Sequence, residues 1–276
     1  MLFGGNNGAA VYADTWLWNG STWTQSNVAG PGARWGAAMA SIPGAVWLFG
    51  GTSGGTTPTY FADTWTYRSG AWIESTPASA PTARRSPAVA TLGTKMVIFG
   101  GFDGTTYDAD TWTWDGVSWS MQSAAGPAAR AGATMVTSGG TLLLFGGYDA
   151  TTTYDDFWQW SGSAWTQLMV AVPSVRRGPE MASVNGGLLL FGGANAGVYD
   201  ADTWLWNGTS WSSVAVTGPS AREFVAMAPL PGGVLLFGGF NGAGLGDTWL
   251  WNGAQWTASD ATGPSARSGT TLVTLQ

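Results

Sequence analysis

Arg130-Ala131-Gly132-Ala133-Thr134-Met135-Val136-Thr137-Ser138-Gly139-Gly140-Thr141-Leu142-Leu143-Leu144-Phe145-Gly146-Gly147 is the stretch that decides the fold. Gly132 to Val136 alternates weakly between small and apolar residues and runs toward Ser138-Gly139-Gly140, which reads as a strand and a turn. Leu142 to Phe145 is a continuous apolar run bounded by glycines. A strand buried on both faces has that composition. The paired Gly146-Gly147 predicts positive φ or a close backbone approach at the strand end. An eight-residue polar loop follows. Asp156-Phe157-Trp158-Gln159-Trp160 then sets two Trp on one face of a third strand, by period two. Ser161-Gly162 opens a hairpin turn, where most other copies read Asn-Gly or Asp-Gly. Trp165 opens a fourth strand, so one unit is four antiparallel strands.

The unit recurs. Arg is followed 15 residues later by Phe-Gly-Gly at Arg34, Arg84, Arg130, Arg176 and Arg222. A sixth Arg, Arg267, meets the C-terminus first, and an unmatched Phe3-Gly4-Gly5 stands at the N-terminus. Successive Phe-Gly-Gly copies are 46, 50, 46, 46 and 46 residues apart. A strand-built period of about 40–50 residues signals a β-propeller. The expectation is therefore an all-β, six-bladed β-propeller occupying residues 1–276 as one domain. Its last blade closes by pairing a C-terminal strand, from Ser268 to Gln276, with Met1-Leu2-Phe3. That pairing leaves no open edge.

The Trp spacing agrees. Three slots per repeat make 18 positions, of which 17 hold Trp and Tyr67 fills the other. Trp35 and Trp47 stand outside the slots. Large rings cover apolar area where blades pack, and each indole N–H needs one acceptor. The six repeat Arg are expected to be structural, because a sixfold copy does not serve one asymmetric ligand. A buried guanidinium can satisfy loop carbonyls or a repeat Asp such as Asp14 or Asp110.

Composition excludes several functions. The chain has no His and no Cys, which removes thiol nucleophiles, imidazole bases and the usual zinc and copper ligands. No metal and no cofactor are expected. Net charge is −6, with Lys95 the only Lys, so no basic stripe offers itself to nucleic acid. No apolar run is long enough to span a membrane. Met1-Leu2-Phe3 enters a strand at once, without the basic and apolar regions of a signal peptide. With no Cys, the redox compartment leaves no mark in the sequence, and localisation stays open.

Gly-Gly after an apolar strand, a downstream aromatic hairpin, and Arg in contexts such as Gly126-Pro127-Ala128-Ala129-Arg130 and Gly218-Pro219-Ser220-Ala221-Arg222 resemble the kelch family of propellers. The Gly-His and Trp-Asp marks of WD40 repeats are absent. The resemblance spans essentially the whole chain and implies the fold. Its functions range from interaction modules to enzymes. It implies that ligands dock on the face carrying the long loops, those after the second and fourth strands. Copper- or iron-dependent kelch-like enzymes use clusters that this chain, without His or Cys, does not supply. The resemblance leaves open a sugar-mutarotase-like activity that uses Arg and Glu in the channel mouth.

Two columns on the long-loop face vary while their neighbours do not. The residue after the repeat Arg reads Trp35, Arg85, Ala131, Arg177, Glu223 and Ser268. The residue after Gly-Gly reads Asn6, Thr52, Phe102, Tyr148, Ala194 and Phe240. Both columns should ring the channel mouth, and they mix aromatic platforms with charge, as ligand sites do. Glu180 is a further oddity, in a column otherwise Ala38, Ala88, Thr134, Ala226 and Thr271. It should face the channel or a blade interface, with Arg177 or Arg85 as a conceivable partner. The candidate ligand-binding set is Trp35, Arg85, Phe102, Tyr148, Arg177, Glu180, Glu223 and Phe240, with no catalytic and no metal residues. Two Arg among stacking rings suggest an anionic or carbonyl-rich ligand. Asp108-Ala109-Asp110, Asp155-Asp156 and Asp200-Ala201-Asp202 invite a calcium reading. Capping and turn hydrogen bonds explain them better.

Three readings follow. The first is a monomeric, non-catalytic module that binds a peptide, protein or glycan. The second is an enzyme on a small polar molecule. The third is a structural or engineered scaffold, which would have near-identical loops. Asn6-Asn7-Gly8 against Thr52-Ser53-Gly54-Gly55 shows that the loops differ. No nucleophile–base pair is visible, which favours the first.

Overall fold

The computed structural model describes all residues, Met1–Gln276. It is a six-bladed β-propeller of four-stranded antiparallel blades. The blade read from the sequence consists of Thr134–Ser138, Thr141–Phe145, Phe157–Trp160 and Trp165–Gln167. Its first strand starts at Thr134 rather than Gly132. Gly132 instead sits at φ +62°, with its N–H turned to the Ser86 carbonyl of the neighbouring blade. In the last blade Thr271–Leu272 lies beside Leu2–Phe3, with Leu2 opposite Leu272 and Phe3 opposite Thr271. A two-stranded hairpin, Ala194–Asn195 with Val198–Tyr199, is added within one long loop.

There is no central core. Six apolar clusters each join two neighbouring blades. The second strand of each blade divides its side chains between two of them. Val46 and Leu48 pack toward Met1 and Phe3, while Trp47 and Phe49 pack toward Met96, Ile98, Trp114 and Trp119. This explains the uninterrupted apolar runs, because both faces of such a strand are buried.

The three Trp slots have three fates. The first-slot indoles, such as Trp158 and Trp204, donate to the Asp two residues earlier, at 2.7 and 2.6 Å. Second-slot Trp18, Trp114, Trp160 and Trp251 have buried indole nitrogens with no partner, so they serve as apolar fill. Third-slot indoles reach across a blade interface to a buried Thr. Trp72 reaches Thr15, Trp119 Thr64, Trp165 Thr111, Trp256 Thr203 and Trp23 Thr248, all at 2.9–3.0 Å. The exception is Trp211, whose nitrogen has no partner because Phe157 occupies the Thr column.

These bonds make a testable contribution. Thr111→Val keeps the shape and leaves the Trp165 N–H buried without an acceptor. Urea unfolding should show a loss of about 1–3 kcal/mol. An unchanged midpoint would mean that the other interfaces are no better off than the Phe157–Trp211 one.

Gly-Pro in the Arg context also has a packing cause. A Cβ on Gly126 would lie 2.5 Å from Trp165 Cδ1, and one on Gly30 the same distance from Trp72 Cδ1. In these copies the third-slot ring packs closely against the glycine, whereas Ala80 and Val172 stand at the same position in two others. At Gly146 a Cβ would come within 2.7 Å of the Arg176 carbonyl, and φ is +72°. Both readings of the paired glycines apply there.

Candidate functional site

Each repeat Arg fixes a long loop. Arg34 donates to both Asp63 oxygens at 2.6 and 2.8 Å, to the Gly50 carbonyl at 2.9 Å and to the Gly32 carbonyl at 3.0 Å. The same set recurs as Arg84–Asp110, Arg130–Asp156, Arg176–Asp202, Arg222–Asp247 and Arg267–Asp14. These Asp thus bind guanidinium and indole rather than capping turns. In three blades an aromatic covers the guanidinium: Tyr12 over Arg267, Phe61 over Arg34 and Tyr154 over Arg130. Asp108 and Asp200 occupy that aromatic position and supply a second carboxylate, 3.4 Å from Arg84 and 3.8 Å from Arg176. Burial, with the Asp110 and Asp103 charges, pushes Asp108 up to about 6 against the pull of Arg84. The turn role expected of Asp falls instead to Asp103 and Asp149, which accept loop N–H groups at 2.7 Å. No group of three or more acidic residues converges as metal ligands would.

On this scaffold the channel mouth carries two rings. The inner one is a circle of backbone hydrogen bonds made two residues after each repeat Arg. Ser86 N–H donates to the Gly36 carbonyl at 2.6 Å, Gly132 to Ser86 at 2.9 Å and Gly178 to Gly132 at 2.9 Å. Phe224 donates to Gly178 at 2.8 Å, Gly269 to Phe224 at 3.1 Å and Gly36 to Gly269 at 2.8 Å, which closes the circle. All six members have φ between +51° and +64°. Glycine takes this conformation freely, whereas Ser86 and Phe224 hold it at a strain of about 1–3 kcal/mol each. The Phe224 ring leans over Gly178 and Gly132, whose Cβ atoms would meet it at 2.8 and 3.3 Å. Its small neighbours leave room for that ring.

The outer ring joins the two variable columns. They pair with each other in every blade: Trp35 with Thr52, Arg85 with Phe102, Ala131 with Tyr148, Arg177 with Ala194, Glu223 with Phe240 and Ser268 with Asn6. Their side chains form a continuous arc. The Arg85 guanidinium lies 4.7 Å from the Trp35 ring and 5.2 Å from the Phe102 ring. Phe102 packs on Tyr107 at 4.7 Å, Tyr107 on Tyr148 at 5.8 Å, and Arg177 lies 5.7 Å from the Tyr148 ring. Arg177 ends the arc with a two-point bond to Glu223, at 2.7 and 3.0 Å. That hydrogen bond raises the already high Arg177 value, so this guanidinium stays charged. Glu223 is buried, so Arg177 is committed to it. Arg85 has aromatic faces but no carboxylate partner. Beside it, Trp35, Tyr60, Asn6, Thr52 and Gly54 line a groove of about 600 Å³.

Six of the eight candidate residues therefore share one arc. Phe240 stands apart, packed on Tyr199 at 6.2 Å. Glu180 pairs with neither Arg and lines the channel below the mouth. Sequence reasoning missed Tyr60, Tyr107 and Phe224. Phe224 had a signal, since its column otherwise reads Gly36, Ser86, Gly132, Gly178 and Gly269.

The channel is lined by the inner strands and holds a cavity of about 480 Å³. Glu180 is the only ionisable side chain in its lining. Protein surrounds that carboxyl closely although it keeps some contact with the cavity, and desolvation pushes it up to about 8 despite the Thr134 hydroxyl. Stability therefore falls progressively as pH rises from the ordinary 4.5, above which the unfolded chain gives up this proton, to about 8, where the folded carboxyl does so too. At the far end hydroxyls link the inner strands: Thr91 to the Ser41 carbonyl and Ser183 to the Thr137 carbonyl at 3.0 Å, and Thr137 to that of Thr91. Thr274 bonds the Pro229 carbonyl, while Pro229 has no hydroxyl to continue the series.

Fold and mouth together define a repeat propeller that presents varied loops on a fixed frame. Residues 73–214 and 107–276 match the KLHDC2/KLHL20/DRC7 Kelch-repeats domain, and these matches together cover more than half of the chain. The chain belongs to the kelch-repeat six-bladed β-propeller family. Comparison with the curated proteins finds no match.

Proposed function

We propose that the chain is a non-catalytic binding module that takes a protein, peptide or glycan on its long-loop face. The observation that carries this is the arc from Trp35 through Arg85, Phe102, Tyr107 and Tyr148 to Arg177, beside the groove under Trp35 and Tyr60. Aromatic rings and Arg are the side chains that most often anchor binding. Within the arc Arg85 is the cation free to meet an anionic or carbonyl-rich group, since Arg177 already holds Glu223. The chain works as one propeller over residues 1–276, and pairing of its C-terminal strand with its N-terminal strand keeps the ring of loops in register.

The test starts from hits on immobilised peptide and glycan arrays. Trp35→Ala with Arg85→Ala should weaken the strongest hit by at least about tenfold, because truncated anchors each cost about 1–2 kcal/mol or more. Arg177 is left alone, since its removal would strand buried Glu223. Val117→Ala with Thr209→Ala, on the short-turn face, should leave both affinity and melting temperature unchanged. Loss of binding in the short-turn variant alone would place the site on the wrong face.

A further inference from the structure

We propose that the central channel is a second ligand site, taking a small primary alkylammonium whose charge pairs with Glu180. The cavity, at about 480 Å³, lies within the range of small-molecule sites. Its walls are mostly Ala, Val, Met, Pro and Thr, which suit an alkyl chain. Ser and Thr hydroxyls are spread through this lining, and Glu180 is its one ionisable side chain. The strands packed against its own strand Glu180–Val184 are Thr134–Ser138, Gly187–Phe191, Ala226–Leu230 and Gly233–Phe237, and none carries an ionisable residue. Arg177 and Glu223, at the mouth above, are bonded to each other. Gln276 reaches the cavity beside Gly44 and has a neutral side chain.

A lone carboxyl in such a place lacks the counter-charge that buried carboxylates ordinarily have. The protein supplies none there, so a ligand that supplies one gains the pairing, less the cost of ionising the buried carboxyl. An alcohol gains at most a neutral hydrogen bond, and a carboxylate ligand gains one hydrogen bond from the protonated carboxyl but brings a charge of the protein's own sign. The protein's net charge of −6 also favours a cation over an anion. This site is separate from the arc at the mouth and does not depend on the binding reading proposed for it.

The pairing has a proton signature. The free protein holds Glu180 protonated at neutral pH, while an alkylammonium arrives charged. Pairing requires the carboxyl to ionise, so the bound state releases its proton to the buffer. The experiment titrates the full chain at about pH 7 with n-hexylammonium chloride, n-hexanol and sodium hexanoate. It uses calorimetry in two buffers of different ionisation enthalpy. Hexylammonium should bind saturably and release about one proton per ligand. Hexanol and hexanoate should bind at least about tenfold more weakly. Glu180→Gln should lose the preference for the amine and the proton release, whereas Trp35→Ala with Arg85→Ala should change neither. Amine and alcohol binding alike, absence of saturable amine binding at millimolar concentration, or unaltered amine binding by Glu180→Gln would each overturn the proposal. If Glu180→Gln does not fold, the wild-type comparison of amine with alcohol and the proton count still decide.

Discussion

Removing Thr270–Gln276 is expected to cost several kcal/mol and to make the protein aggregate. The segment carries Thr271–Leu272, which lies beside Leu2–Phe3 in the last blade. Leu272 is buried among Leu2, Trp23, Leu235 and Phe237, and a Leu side chain taken out of water contributes about 1.5–3 kcal/mol. The Val273 N–H bonds the Met1 carbonyl, and the Thr270 hydroxyl bonds that of Phe3, both at 2.9 Å. Each such bond adds about 1 kcal/mol net. Truncation also uncovers one side of Leu2–Phe3, and an apolar strand edge invites pairing with another molecule. Urea unfolding followed by Trp fluorescence, with light scattering, measures both effects. Removing only Leu275 and Gln276, which are exposed, should cost under about 1 kcal/mol. A truncated protein that melts with the full chain and stays monodisperse would show that the last strand does not hold the ring.

The frame was legible because it repeats. Leu142–Phe145 reads as doubly buried from its neighbours alone, and the Phe-Gly-Gly spacing turns one such strand into six. What escaped reading depends on approaches between segments far apart in sequence. Arg177 and Glu223 are 46 residues apart, and nothing local to either announces their bond. Tyr107 enters the arc only because its loop folds back to set it between Phe102 and Tyr148. Neither Tyr60 nor Tyr107 occupies a column read as variable, so neither drew notice. The bond circle at the mouth is a backbone property. The sequence betrays it only as a Gly-rich column, in which Ser86 and Phe224 are the anomalies. The Phe157 case is the reverse: its column was there to be read, but that a Thr hydroxyl serves the next blade's indole emerges only when the blades are side by side. The column of Glu180 left it facing either the channel or a blade interface, and both the choice between them and the absence of a counter-charge on the packed strands required all the inner strands at once.

Arg130→Ala should destabilise the fold by about 3–5 kcal/mol and leave binding at the mouth nearly unchanged in the protein that stays folded. The Arg130 side chain is fully buried. It donates to the Gly146 carbonyl at 3.0 Å, the Ala128 carbonyl at 2.9 Å and both oxygens of Asp156. Tyr154 covers it at 3.8 Å. Truncation orphans those acceptors and leaves Asp156 with the Trp158 indole as a remaining donor, at 2.7 Å. Because Asp156 keeps some exposure, water can take up part of the loss, which argues for the lower end of the range. Arg130→Lys keeps the charge but not the planar fork that reaches carbonyl and carboxylate together, so it should recover only part of the stability. Four of the sister pairs predict acid sensitivity. Burial pushes Asp14, Asp110, Asp202 and Asp247 upward, but hydrogen bonds from Arg and Trp, with the Arg charge, outweigh it and hold all four below the ordinary 3.8. A depressed carboxylate contributes fully above its unfolded value and loses that contribution as pH falls through the folded one. The native protein should therefore keep these contributions down to about pH 4 and lose them below it. Urea midpoints across that range check the loss. A folded Arg130→Ala variant with the wild-type midpoint and no binding at the mouth would make the repeat Arg a ligand contact instead of a brace.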